Sequence, residues 1–198
     1  MKVKCDQGGI EKALEIIKHG GIAVFPTDTV YGIGCNPYNN EAVKKIYDIK
    51  SRDISKPLPI LTYSTEIAEK IVVIDEFTKK IVTKFWPGPL TIILKLIDND
   101  LKKSLFLNEK IAIRVPNHKC TLKILKGCNF LVGTSANISG HPSFTNPDEC
   151  FRNLENYDIF VDGGTITSKA ESTIIEIENE KINILREGSL TKEDILEK

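Results

Sequence analysis

The chain has 198 residues, of which 27 are Lys or Arg and 27 are Asp or Glu, so its formal net charge is zero. That length suits one domain with a sizeable core, and the charge balance excludes binding to nucleic acid or an anionic membrane through overall charge. No run of about 18 apolar residues occurs, which excludes a helical membrane span, and the polar N-terminus lacks the apolar stretch of a signal peptide.

Ile10, Ala13, Leu14 and Ile17 recur at helical spacing, and Gly20-Gly21 closes that helix. Ile22 to Phe25 is short and apolar, as in a buried strand; Pro26 to Gly34 is a Thr- and Gly-rich loop. Asn40 is the expected cap of a helix carrying Ala42, Val43, Ile46 and Ile49. Leu58 to Leu61 reads as a strand, and Pro57 and Pro59 assign it to a sheet edge. Ser64 and Asp75 cap two successive helices, the second ending before Pro87. Leu90–Leu96 and Ile111–Val115 are strands, Thr121 to Lys126 is part of a short helix closed by Gly127, and Phe130 to Val132 is a strand. Asn146-Pro147-Asp148-Glu149 starts another helix. Ile159–Val161, Thr173–Ile177 and Ile182–Leu185 are strands, the last two a hairpin through Asn179-Glu180, and Thr191 begins a final helix. Interleaved strands and helices predict an α/β fold with a twisted mixed sheet and flanking helices, residues 1–198 forming one domain.

Five scattered cysteines without a C-x-x-C pair argue against a disulfide framework or zinc site and fit a reducing cytosol, each cysteine reading as a small apolar residue. The three histidines are far apart, and no metal site is expected.

Residues 133–140, Gly-Thr-Ser-Ala-Asn-Ile-Ser-Gly, follow the apolar run ending at Val132. A turn of small residues and hydroxyls at a strand end suits a polyanion such as a nucleotide phosphate, although such residues are also common in ordinary turns. The chain uses Lys by default and has four arginines: Arg52, Arg114, Arg152 and Arg186. Arg forks onto carboxylate or phosphate. Arg52 lies in Lys50-Ser51-Arg52, while Arg114 and Arg186 end apolar runs, so three of the four are placed to converge on one anion site. The alternative for each is a surface ion pair of little energetic value.

Seven motifs then stand in order: Pro26-Thr27-Asp28-Thr29-Val30-Tyr31-Gly32, Lys50-Ser51-Arg52, Trp86-Pro87-Gly88-Pro89-Leu90-Thr91, Ile113-Arg114-Val115-Pro116, Thr134 to Gly140, Glu171-Ser172-Thr173 and Leu185-Arg186-Glu187-Gly188. The set resembles the YrdC/TsaC family, the threonylcarbamoyl-adenylate synthases, from about Gly20 to Gly188. The resemblance implies a YrdC-like (RibB-like) α/β fold around a deep cavity, in the short form without an extra C-terminal domain. It implies a cytoplasmic nucleotidyltransferase that makes threonylcarbamoyl-adenylate and pyrophosphate from L-threonine, bicarbonate or CO2, and ATP. This is the first step of N6-threonylcarbamoyladenosine formation in tRNA.

By the same resemblance Lys50 and Arg52 are catalytic and hold the triphosphate, with Lys56 nearby; Ser135, Asn137, Ser143 and Arg186 complete the ATP site. Thr29, Arg114, Gly133 and Ser172 match threonine-binding positions, and a guanidinium fork suits the threonine carboxylate. Mg²⁺ would be carried by the phosphates. The product would pass to threonylcarbamoyl-transfer machinery, with direct tRNA contact an open question. Tyr31 reads as cavity wall, the Trp86–Pro89 turn as structural, and Asp28 as orienting Thr29 or a backbone amide, or acting as a general base.

Three positions depart from the family pattern. Asp53 stands where many relatives have Pro, Leu61 where longer members often have a threonine-binding His, and Lys169 in a stretch that is often Gly-rich. The competing reading is an RNA-binding YrdC-like module without catalysis, which zero net charge and the lack of a basic, aromatic strip disfavour. Related domains in hydrogenase-maturing carbamoyl-transfer enzymes belong to much longer chains.

Overall fold

The computed structural model describes residues 1–168 and 170–196, so the expectation for Lys169 lies outside the described residues. The chain begins with strand β1 (Lys2–Lys4) and helix α1 (Gln7–Lys18), whose N-cap Asp6 accepts from the Gly9 N–H and whose Ile10, Ala13 and Ile17 are buried. Then come β2 (Ala23–Phe25), β3 (Gly32–Gly34), α2 (Asn40–Ile49), β4 (Ile60–Thr62), α3 (Thr65–Ala68) and α4 (Glu76–Phe85). They are followed by β5 (Leu90–Lys95), α5 (Asn99–Ser104), β6 (Lys110–Arg114), α6 (Lys119–Cys128), β7 (Phe130–Val132) and β8 (Thr134–Ser135). The last elements are α7 (Pro147–Asn153), β9 (Ile159–Asp162), β10 (Thr173–Glu178), β11 (Lys181–Arg186) and α8 (Lys192–Leu196).

The strands form two mixed sheets, ordered β1-β9-β2-β3-β8 and β11-β10-β5-β6-β4-β7. The chain passes from one to the other at Gly133: β7 pairs with β4, β8 pairs with β3, and the Gly133 N–H donates to the Pro59 carbonyl (3.0 Å). A Cβ at Gly133 would lie 2.2 Å from Leu61 Cγ, so only glycine fits this crossing as Leu61 is now placed. One apolar core joins Ile33, Val43, Ile46, Ile60, Ile92, Ile113 and Ile175, and a second lies between α1, α6 and β2 with Phe25 at 0% exposure. Each such buried side chain contributes roughly 1.5–3 kcal/mol.

Several boundaries differ from the sequence expectation. Asn39, not Asn40, caps α2, accepting from the Ala42 N–H. Strand β4 is interior, between β6 and β7, because both prolines precede the paired residues and cost no ladder hydrogen bond. Helix α6 continues through Gly127 to Cys128 and stops at Asn129, whose φ of 63° Asn tolerates. Strands β1, β3 and β8 and helix α5 have no counterpart in the sequence reading. Cys5 and Cys120, read as independent apolar residues, are joined as a disulfide with Cα atoms 5.8 Å apart; the fold closes a separation of 115 residues that spacing alone did not reveal. The β10–β11 hairpin turns through Asn179 and Glu180 as expected, both with positive φ (49° and 60°) in a two-residue loop.

Candidate active site

The Lys50-Ser51-Arg52 motif is the C-terminal cap of α2. The Arg52 N–H donates to the Tyr47 carbonyl and the Ser51 N–H to the Asp48 carbonyl, the paired bonds of a Schellman turn, with Ser51 at φ 46° where glycine is usual. A left-handed non-glycine residue costs roughly 1 kcal/mol. The turn sets the backbone so that Lys50, Ser51 and Arg52 all line one cavity of about 750 Å³.

Ten of the eleven sequence-predicted site residues line that cavity: Thr29, Lys50, Arg52, Lys56, Arg114, Gly133, Ser135, Asn137, Ser172 and Arg186. Ser143 is not on the wall; its hydroxyl donates to Glu171 Oε1, and Glu171 is. Tyr31 is not wall either. It is fully buried, its ring stacks on Phe160, and its hydroxyl donates to the Gly164 carbonyl, so it belongs to the core. Leu61 and Asp53 do line the cavity, so those two departures from the family pattern fall at the site.

Arg114 is the last residue of β6. Its Nε donates to the Gly88 carbonyl (2.9 Å), Nη1 to Thr29 Oγ1 (3.1 Å) and Nη2 to Asp28 Oδ1 (2.5 Å). A guanidinium has five N–H donors, so two remain for a ligand. The Trp86–Pro89 turn is therefore structural, with Trp86 Nε1 donating to the Leu90 carbonyl, and it also orients Arg114 through Gly88. A Cβ at Gly88 would lie 2.4 Å from the Phe85 carbonyl oxygen, which explains glycine there. The Thr91 and Ser172 hydroxyls, both buried and both on the wall, are 2.8 Å apart.

Lys50, on the same wall, is 1% exposed. Its ammonium donates to the Ser135 carbonyl, the Asn137 carbonyl (2.7 Å) and Asn137 Oδ1 (3.2 Å), while its own carbonyl accepts from the Ser139 N–H (2.8 Å). All three N–H groups of Lys50 are thus engaged, and the Ser/Asn turn is pinned to the end of α2. Burial, with help from nearby Arg52 and against the pull of Glu171, lowers Lys50 to about 8. Arg52 shapes its own loop, donating to the Lys56 (2.9 Å) and Pro57 (3.0 Å) carbonyls. Arg186 donates to Glu171 Oε2, to the Ser172 carbonyl and to Ser172 Oγ. Ser139 Oγ is buried with no hydrogen-bond partner among the described residues, on the same wall.

Six Lys and Arg side chains, Lys50, Arg52, Lys56, Lys110, Arg114 and Arg186, thus line the cavity with three carboxylates, Asp53, Glu171 and Glu176, while Asp28 pairs with Arg114 from behind the wall. Burial lowers the pKa of Arg52 and Arg114, but a guanidinium stays charged throughout the physiological range. This arrangement can hold an anion larger than one carboxylate: hydroxyls and forks surround a single space, and no cysteine lines it among the described residues. The sequence reading missed Thr91 and Glu171 as site residues and left Asp28 undecided. All three were inside quoted motifs; only the fold shows what they touch.

A family model, Sua5_yciO_yrdC, described as telomere recombination, matches residues 15–188. A protein of Methanocaldococcus jannaschii is 40% identical over 189 residues, covering 90% of this chain and 86% of its own length. A threonylcarbamoyl-AMP synthase of Bacillus subtilis is 33% identical over 190 residues, covering 94% of this chain and 55% of its own. The crystal structure of Pyrococcus abyssi Sua5 complexed with L-threonine superposes with a TM-score of 0.90 at 31% identity, covering 98% of this chain and 59% of that one. The chain therefore spans little more than half the length of two of these three relatives.

Proposed function

Since the chain belongs to the Sua5/YciO/YrdC family, we propose that it is an L-threonylcarbamoyladenylate synthase, a nucleotidyltransferase acting in the cytoplasm on the first step of tRNA threonylcarbamoylation. L-Threonine, bicarbonate and ATP give threonylcarbamoyl-AMP, pyrophosphate and water. The observation that carries the reading is a single cavity lined both by a guanidinium fork held by three protein oxygens and by further cations and hydroxyls.

The threonine carboxylate takes the two remaining N–H groups of Arg114, a charge-assisted fork. Thr29 and Ser172 are the hydroxyls beside it, Gly133 leaves room, and the Thr91–Ser172 pair presents a hydroxyl face to the amino acid's polar groups. The threonine amine attacks the carbon of bicarbonate-derived CO2 and loses a proton, giving a carbamate. A carbamate oxygen then attacks the α-phosphorus, and the bond to the bridging oxygen breaks to release pyrophosphate. Such transfer depends on positioning and charge neutralisation. Arg52 and Arg186 supply forks to the phosphates; Lys50 supplies charge and fixes the Ser135–Asn137 turn. A phosphate that contacts the Lys50 ammonium directly must replace one of its protein oxygens. The Ser139 hydroxyl is a further donor toward the nucleotide. Ser143 acts through Glu171.

Both Glu171 oxygens are taken, by Ser143 and Arg186, and among the described residues no cluster of three metal-ligating side chains occurs. That donor set fits Mg²⁺ arriving with the ATP phosphates, where it neutralises their charge. Residues 1–198 act as one YrdC-like domain, and the unstable adenylate passes to threonylcarbamoyl-transfer machinery. Among the described residues no helix is long and apolar enough to cross a membrane.

The test is pyrophosphate release from ATP with Mg²⁺ and bicarbonate, with L-threonine or L-serine. Release that requires threonine is expected. A folded protein that binds ATP yet releases nothing with threonine would overturn the assignment and favour an RNA-binding module.

A further inference from the structure

We infer that Asp28 is a positioning residue for amino-acid binding: its carboxylate, behind the cavity wall, fixes the plane of the Arg114 guanidinium so that two N–H groups face the substrate carboxylate. The inference rests on the proposed function for the identity of that substrate. Asp28 is not among the residues lining the cavity, whereas its neighbours Thr27, Thr29 and Val30 are. It is therefore badly placed to take a proton from substrate, and the general-base option gives way.

What Asp28 touches is specific. Oδ1 accepts from Arg114 Nη2 (2.5 Å) and from the Asn117 backbone N–H (3.0 Å), and the Asp28 and Arg114 side chains are 14% and 7% exposed. The Asn117 bond ties Asp28 to the segment just beyond β6, the strand that carries Arg114, so acid and base are anchored to each other by backbone as well as by charge. Thr27 Oγ1 holds the same loop, donating to the Val30 carbonyl (2.6 Å) and lying 3.1 Å from Thr29 Oγ1. Thr29 in turn accepts from Arg114 Nη1. Three protein oxygens, from Gly88, Thr29 and Asp28, thus surround one guanidinium and leave it a single orientation.

Charge alone does not account for this. Asp28 neutralises Arg114 and so weakens its long-range attraction for an anion. In exchange it gives a fork whose geometry is set before the ligand arrives, and a misplacement of about 1 Å costs on the order of 100-fold. His118 also lies near Asp28; burial lowers its pKa, so near neutral pH it does not compete as a second cation.

The experiment compares wild type with Asp28→Asn and Asp28→Ala, each alone and combined with Arg114→Ala. Kinetics of pyrophosphate release give KM for L-threonine and for ATP. Competition by L-threoninol, which lacks the carboxylate, shows whether the effect runs through that group. Nitrogen-15 NMR of the ligand-free proteins reads the Arg114 side-chain N–H signals.

Asp28→Ala is expected to raise KM for L-threonine by about 10- to 100-fold with KM for ATP unchanged. Threoninol inhibition should not change, and no further loss should appear in the Arg114→Ala background. The wild-type Arg114 signals should be protected from exchange, lose that protection in Asp28→Ala, and lose part of it in Asp28→Asn, whose uncharged oxygen is a weaker acceptor. The inference is overturned if the two losses add in full, if KM for threonine and ATP rise together, or if the Arg114 signals are the same in Asp28→Asn as in wild type. Asp28→Asn keeps the volume and an acceptor oxygen, so it carries the test should Asp28→Ala fail to fold. If wild type shows no threonine-dependent release, the functional reading fails by itself, and the NMR comparison still decides the positioning role.

Discussion

The cavity wall holds its arginines in opposite ways. Arg114 is nearly enclosed, with three protein oxygens fixing it and a partly buried carboxylate behind it. Arg186 is 41% exposed at its side chain and pairs with Glu171, itself 30% exposed, while Arg52 directs its donors to its own loop. On the proposed reading, Arg114 serves one small anion of fixed shape, while Arg52 and Arg186 exchange internal partners for phosphate oxygens. A small amino acid cannot offset rearrangement with its few contacts, whereas a triphosphate brings many charged oxygens.

This contrast is tested most severely by Arg52→Ala. It should lower kcat/KM for pyrophosphate release by about 1000-fold, the scale of losing an arginine that neutralises a transferring phosphoryl group, without unfolding the protein. Near-wild-type turnover would remove Arg52 from the nucleotide site. Next is Arg114→Ala, expected to raise KM for L-threonine about 100-fold through loss of a two-point charged contact. Because it also leaves the partly buried Asp28 without its cation, it should cost roughly 1–3 kcal/mol in a denaturant melt. If Arg114→Ala is neutral to stability, the fork is not pre-set.

A smaller effect concerns pH. Lys50 titrates near 8, so its ammonium is present below that pH and lost as pH rises through it. Pyrophosphate affinity, measured by calorimetry, should therefore fall as pH rises from neutrality through that value, with proton uptake on binding in the upper part of the range. A flat profile would separate Lys50 from the phosphates. Smallest of all is Lys56→Ala. What Lys56 gives the site is its backbone carbonyl, which accepts from Arg52 and from the Tyr47 hydroxyl (3.3 Å), and alanine keeps that carbonyl. Less than about 0.5 kcal/mol in ATP affinity is expected, as for other exposed charges, and a large loss would make the ammonium a true phosphate ligand.

Much of the fold was legible because long apolar periodicities and caps such as Ser64, Asp75 and Asn146 act locally. Short strands escaped because two or three residues such as Gly32-Ile33-Gly34 carry no period; pairing makes them strands. Pro59 misled about β4 because its rule concerns residues inside the ladder, and it lies just outside. At the site, the motifs gave most of the polar wall, while strand residues such as Leu61, Ile93, Ile111, Ala112 and Ile174 line it from outside them. What they did not give was who holds whom: Asp28 and Arg114 are 86 positions apart, Lys50 and Asn137 are 87 apart, and no local rule links them. The Schellman turn at Lys50-Ser51-Arg52 was hidden because Ser stands where the usual signal is Gly.

Gly133 and Leu61 share one volume, since a methyl group on Gly133 would sit where the Leu61 side chain already is. The two positions are therefore not free to drift separately. A mutational library that varied Gly133 alone would report a site intolerant of change, while one that paired Gly133→Ala with Leu61→Ala would recover viable clones. The shape of this stretch of wall is thus a joint property of two residues, neither of which offers a side-chain hydrogen bond.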